Sequence, residues 1–139
     1  MSADRQYAHL MLKEIHEQPQ AMRETLAQES SRISDLAAEI RRRRVRFIIV
    51  AARGTSDNAA TYARYLFGAV NGMVVAPAAP SLLTVYNSQM QIEEALVLGI
   101  SQSGKATDVI EVLELARGLG AMTVALTNQE HSPICQAVE

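Results

Sequence analysis

Ala95-Leu-Val-Leu-Gly-Ile-Ser-Gln-Ser-Gly-Lys-Ala-Thr-Asp108 reads as an apolar strand, a hydroxyl-rich loop and the first residues of a helix. Ala95, Leu96, Val97, Leu98 and Ile100 form a run too continuous for a half-exposed strand and too short for a typical helix. That suits a parallel strand covered on both faces. From Thr107 the period changes, and Val109, Ile110, Leu113, Ala116 and Leu119 fall on one helical stripe. Between the two, Ser101 to Thr107 carries hydroxyls, one amide and one cation, but no carboxylate.

A loop that leaves a parallel strand and opens a helix is where α/β sheets place their ligands. The helix start offers unpaired N–H groups and a partial positive charge, so it favours an anion, and hydroxyls add neutral donors. The stretch therefore points to a phosphate site. The plainer alternative is a cap, with Thr107 or Asp108 closing the helix end and Asp108 pairing with Glu111. A cap accounts for one hydroxyl and leaves Ser101, Gln102 and Ser103 unexplained.

The 139 residues make one domain-sized chain with enough apolar content, 48%, for a real core. A net charge of −2 and a single short basic run argue against nucleic acid as partner. One cysteine, Cys135, excludes an internal disulfide and a cysteine-based zinc site, and it reads as a small core residue. No apolar stretch reaches membrane length and no signal-peptide pattern opens the chain. The expectation is a cytoplasmic protein without metal or cofactor.

Taken in order, residues 1–42 read as a helical segment and 43–139 as the domain. A helix is expected from Asp4 to Glu17, broken or kinked at Pro19. A second stretch carries Met22, Leu26, Ile33, Leu36, Ala37 and Ile40 as its apolar stripe. His9 and His16, seven apart, share a face, but metal pairs are more often three or four apart, so both read as solvated. Arg41 to Arg44 complement the negative end of that helix.

Val45 to Ala52 is the first buried strand. Arg53-Gly-Thr-Ser-Asp-Asn58 follows as a second glycine-hydroxyl turn, with Gly54 turning and Ser56 as a possible N-cap. The next helix, to Asn71, has Ala59, Ala60, Ala63, Leu66, Phe67 and Val70 for its buried face. Met73 to Ala76 is a short strand, and Ser81 is expected to cap a helical turn reaching Tyr86. After the long helix, closed at Gly120, Met122 to Leu126 is a fourth strand. Ser132-Pro133 looks like a cap and first-turn proline opening a helix with Ile134, Cys135 and Val138, and His131 is a loop residue. The architecture is α/β: a three-layer, flavodoxin-like parallel sheet with four visible strands and an N-terminal helical extension. A sheet of this kind normally returns to a further strand, so the chain is expected to be C-terminally incomplete.

Gly99-Ile-Ser-Gln-Ser-Gly-Lys105 has the spacing of a Walker A loop. Ala106 stands where a hydroxyl would hold Mg²⁺, Gly99 falls inside the strand, and no other strand ends in the partner aspartate. A P-loop nucleotide binder is the weaker reading.

Arg53-Gly-Thr-Ser-Asp-Asn-Ala59 and Ser101-Gln-Ser-Gly104, each following a strand, resemble the paired motifs of the SIS (sugar isomerase) domain family. His9-Leu-Met-Leu-Lys-Glu-Ile-His-Glu-Gln-Pro19 is similar to the entry to the isomerase half of glucosamine-6-phosphate synthases. The turn at Gly54 and Pro80-Ser-Leu-Leu-Thr-Val-Tyr86 look closer to SIS-type amino-sugar-phosphate deaminases. The resemblance covers essentially the whole chain. It implies a sugar 6-phosphate ligand, with Ser101, Gln102 and Ser103 holding phosphate and sugar oxygens and Ser56 adding a hydroxyl. Gly54, Thr55 and Gly104 shape the same two turns. Where the synthase motif continues Glu-Thr, this chain has Lys105-Ala106, so one hydroxyl is lost and Thr107 or Lys105 is expected to compensate. The glutamate, lysine and histidine of the isomerisation lie in family segments outside these residues, so no catalytic residue is assigned here. By itself, residues 1–139 would be inactive. A phosphosugar-sensing module without catalysis is the alternative from another class. A homodimer is expected, because an open sheet edge is normally covered.

Overall fold

The structure is a computed structural model that describes residues 3–86 and 88–139. It divides into two units, Met1–Glu39 and Ile40–Glu139.

The first unit is helical. Helix α1 runs without interruption from Ala3 to Arg42 and contains Pro19. This corrects the expected break. A proline inside a helix removes one N–H donor and crowds the preceding turn, at a cost of about 3 kcal/mol. The helix-forming residues on both sides outweigh that loss.

The second unit is a four-stranded, wholly parallel sheet, as expected. Strands β1 (Phe47–Ala52), β2 (Val74–Pro77), β3 (Ala95–Ile100) and β4 (Met122–Leu126) lie in the order β2-β1-β3-β4. Helix α2 (Ser56–Asn71) connects β1 to β2, and α4 (Thr107–Gly118) connects β3 to β4. These two connections run toward opposite edges of the sheet, so right-handed crossovers place α2 and α4 on opposite faces. A short α3 (Pro80–Thr84) packs with α4. Among the described residues, no helix is long and apolar enough to cross a membrane.

Strand β3 is covered on both sides, with Leu96 4% and Val97 1% exposed. Toward α4 the core gathers Ala51, Ala95 and Val97 from the sheet with Val109, Val112, Leu113 and Ala116 from the helix. The helix comes this close because Gly99 has no side chain: a Cβ there would lie 2.6 Å from Leu113 Cδ1. This glycine serves strand–helix packing rather than a phosphate loop.

Three local expectations change and one holds. Ala60 and Ala63 are the buried residues of α2, whereas Leu66 is 40% and Val70 71% exposed. The last turn of α2 lies beside the start of an edge strand whose first residue, Val74, is itself 69% exposed. Ser81 is not a cap; α3 starts at Pro80 after Ala79. The closure of α4 at Gly120 holds: with φ +83 it lies just past the cap residue Leu119. Ser132-Pro133 opens only a single 3-10 turn, Pro133–Gln136. The arginine run divides its work. Arg41 and Arg42 occupy the last turn of α1, Arg43 forms a two-pronged ion pair with Glu139, and Arg44 takes a left-handed conformation (φ 56).

Thr123 on β4 pairs in register with Val97, is 1% exposed, and its hydroxyl has no hydrogen-bond partner. A buried, unsatisfied hydroxyl is destabilising, and an apolar group of the same shape removes that cost. Thr123→Val is therefore expected to gain about 1 kcal/mol, a rise of a few degrees in melting temperature. A fall in thermal denaturation would show that the hydroxyl has a partner after all.

Candidate functional site

Adjacent strands β1 and β3 end level with each other, Ala52 opposite Ile100. In a parallel sheet both turns therefore emerge at the same edge, at the point where the order of connections reverses. The first turn, from Arg53 to Ser56, bends at Gly54 (φ +60). Thr55 is the N-cap of α2, in αR conformation, and its hydroxyl makes no cap bond. Ser56 is the first helical residue rather than the cap, and it is half-buried; Gly54 and Thr55 are exposed.

The second turn is held from behind. The Ser101 N–H donates to Leu126 O (3.1 Å) and the Gly104 N–H to Ser101 O (3.1 Å). Gln102 O accepts from the Asn128 N–H (3.2 Å) and from Thr127 Oγ1 (3.3 Å). Gly104 O accepts from the Ile134 N–H at 3.1 Å. Ser101 is 5% exposed, while Gln102, Ser103, Lys105 and Thr107 face outward. The Lys105 N–H donates to Ser103 Oγ at 3.4 Å.

Helix α4 opens at Thr107 after Ala106, whose extended backbone (φ −68, ψ 103) supplies no side-chain cap. Neither Thr107 nor Asp108 caps it, so the capping alternative fails and the helix end keeps its donors for a ligand. Asp108 instead binds Arg53 Nη1 through Oδ2 at 3.2 Å, linking the two turns. Arg53 is exposed and Asp108 half-buried, so solvent screens the pair, its contribution to stability is small, and its role is positional.

Gln102, Ser103 and Lys105 line a cleft of about 570 Å³ whose other wall is Gln129, Glu130, His131, Ser132 and Pro133. Of the sequence-derived site residues, Gln102 and Ser103 are in this lining. Ser101 and Gly104 lie behind it, in the hydrogen-bonded loop. Thr107 stands at the helix start, and Gly54, Thr55 and Ser56 belong to the neighbouring turn. The wall from Gln129 to Pro133 was not anticipated. One signal for it was available: Ser132-Pro133 marks a chain reversal directly after the strand that neighbours β3.

The sheet order, the level strand ends and an uncapped helix start beside a hydroxyl loop define an α/β domain with two turns at one sheet edge. The chain belongs to the SIS domain family, whose model matches residues 42–138. It is 34% identical over 144 residues to glutamine–fructose-6-phosphate aminotransferase (isomerizing) of Symbiobacterium thermophilum, covering 96% of this chain and 23% of that relative. The chain thus spans about a quarter of the length of that enzyme. A crystal structure of a candidate phosphosugar isomerase from Silicibacter pomeroyi DSS-3 superposes with a TM-score of 0.86 at 36% identity, covering 91% of this chain and 38% of that one. The C-terminal domain of glucosamine-fructose-6-phosphate aminotransferase from Francisella tularensis shares the fold, with a TM-score of 0.78 at 24% identity over 100% of this chain and 40% of its own.

Proposed function

We propose that this SIS domain binds a sugar 6-phosphate, of the glucosamine-6-phosphate or fructose-6-phosphate type, as part of an aldose–ketose isomerase or amino-sugar-phosphate deaminase. The observation that carries the reading is the uncapped start of α4 at Thr107, at the end of the loop that carries Ser101, Gln102 and Ser103. The phosphate accepts hydrogen bonds from the α4 N–H groups and from Ser103 and Thr107, and the amide of Gln102 meets sugar oxygens. Ser101 and Gly104 hold the loop, and Ser56, with Gly54 and Thr55, closes the site from the adjacent turn. Lys105 supplies charge where Ala106 offers no hydroxyl.

The proton shuttle between C1 and C2 of the sugar needs a general base. None is assigned within these residues, so the chain binds and orients substrate while the base comes from elsewhere in the enzyme. The protein works as a homodimer in the cytoplasm.

Thermal shift with glucosamine 6-phosphate, fructose 6-phosphate, inorganic phosphate and Mg-ATP tests this reading. At a hundredfold excess over Kd a phosphosugar is expected to add about 2.7 kcal/mol, several degrees of melting temperature. Ser103→Ala should weaken binding by about 10-fold or more, the loss of a hydrogen bond to a charged group. A response to Mg-ATP alone, or to none of the four, would overturn the proposal.

A further inference from the structure

An ion pair joins the two turns, and its acid stands beside the proposed phosphate site. Asp108 is the acidic residue in the first turn of α4. A carboxylate there is attracted to the free N–H groups of the helix start and competes for them with any ligand anion. In this structure Oδ2 accepts from Arg53 Nη1 at 3.2 Å, and Oδ1 is buried without a hydrogen-bond partner. The surroundings of the carboxylate offer little else. Asp108 lines a cavity of about 50 Å³ with Ala51, Ala52, Ala78, Pro80 and Val109, whose side chains are all apolar. The Ala78 N–H is spent on Val50 O at 2.8 Å. A carboxylate partly withdrawn from water is costly unless a cation compensates it, and Arg53 is that cation.

The charges matter for the ligand as well. A phosphate monoester carries about −1.5 to −2 charges at pH 7. An unscreened Asp108 at the same helix start would repel it. With Arg53 in place the pair is neutral, and the helix donors stay open to an incoming anion.

We propose that Arg53 is a positioning residue of the phosphosugar site: it holds the Asp108 carboxylate away from the start of α4, so that the ligand's phosphate takes the place of a resident anion. This rests on the phosphosugar reading above and names the residue, outside the Ser101 to Ser103 loop, that sets affinity for a dianion. Because solvent screens the pair, it acts on binding more than on folding.

The test is calorimetric titration of the whole chain with glucosamine 6-phosphate and with glucosamine 6-sulfate, whose ester carries one negative charge. Arg53→Gln is expected to weaken the phosphate ligand about tenfold and the sulfate about threefold, the scale of a partly screened like-charge contact. Its melting temperature should stay within about 2 °C of wild type. Asp108→Asn alone should bind at least as tightly as wild type. Arg53→Gln/Asp108→Asn is expected to return to within about twofold of wild type, as is Arg53→Lys, which keeps the charge.

A wild type that binds neither ligand overturns the phosphosugar reading and this inference with it. A wild type that binds, with Arg53→Gln unchanged, overturns the inference alone. A loss that persists in the double variant makes Arg53 a direct contact of the ligand, and an equal loss for phosphate and sulfate makes it a structural support. Either result overturns the screening role.

Discussion

Replacing Gly104 by alanine is expected to lower the melting temperature by roughly 10 °C and to reduce phosphosugar affinity by more than tenfold. Two effects add. Gly104 has φ +64, where a residue with a Cβ is strained by about 1 kcal/mol. The added methyl would also lie 1.9 Å from Ser132 Oγ, 2.4 Å from Ser132 Cβ and 3.1 Å from Ile134 Cγ2. Neither neighbour can give way. Ser132 is 5% exposed and its hydroxyl donates to Gln129 O at 2.7 Å, while Ile134 is fully buried. Overpacking of this kind costs about 1–3 kcal/mol, and the strain would move Gln102 and Ser103 at the cleft. Gly54→Ala is the control: its φ is +60, but a Cβ there meets nothing within 4 Å. Comparison of the two by thermal denaturation and calorimetric titration isolates the contact with Ser132. Equal effects would show that the loop is not held against that residue.

The second large effect is in the core. Leu113→Ala is expected to cost about 3–4 kcal/mol, in the range of buried leucines whose cavity does not collapse, because Leu113 is 0% exposed between α4 and the sheet. Gly99→Ala alone should cost about 1–3 kcal/mol by overpacking, since the new methyl would approach Leu113 Cδ1 to 2.6 Å and Val109 Cγ1 to 3.1 Å. Combined, the two should cost less than their sum. Removing the leucine clears the closer obstruction, and the alanine methyl partly fills the space. A favourable coupling of about 1 kcal/mol or more is expected from chemical denaturation of the four proteins. Strict additivity would mean that strand and helix separate at Gly99 instead of packing tightly there.

What could be read from the chain beforehand follows from how far each signal reaches. The run Ala95 to Ile100 announces a doubly covered strand because its neighbours on both faces leave the same apolar imprint. Gly54 and Gly104 both adopt positive φ, so their turns were legible as turns. Pro19 misled because its local cost is real but is spread over a 40-residue helix. Ile92, 2% exposed, is flanked directly by Gln91 and Glu93 in a stretch too short to show a period, so its place in the core is not legible in the sequence. The wall from Gln129 to Pro133 was hidden for a different reason. It is fastened to the Ser101 loop by backbone carbonyls, at Gln102 and Gly104, which carry no residue identity.

The pairing of Ala52 with Ile100 in the last rung between β1 and β3 limits how such a chain can change. One residue inserted into either strand would raise its turn by about 3.3 Å and invert the facing of every later side chain. A ligand spanning both turns would lose one of its two supports. Divergence at this edge is thus steered toward exchanging side chains within the turns, with strand length held constant, and a new ligand preference can arise by substitution without an insertion.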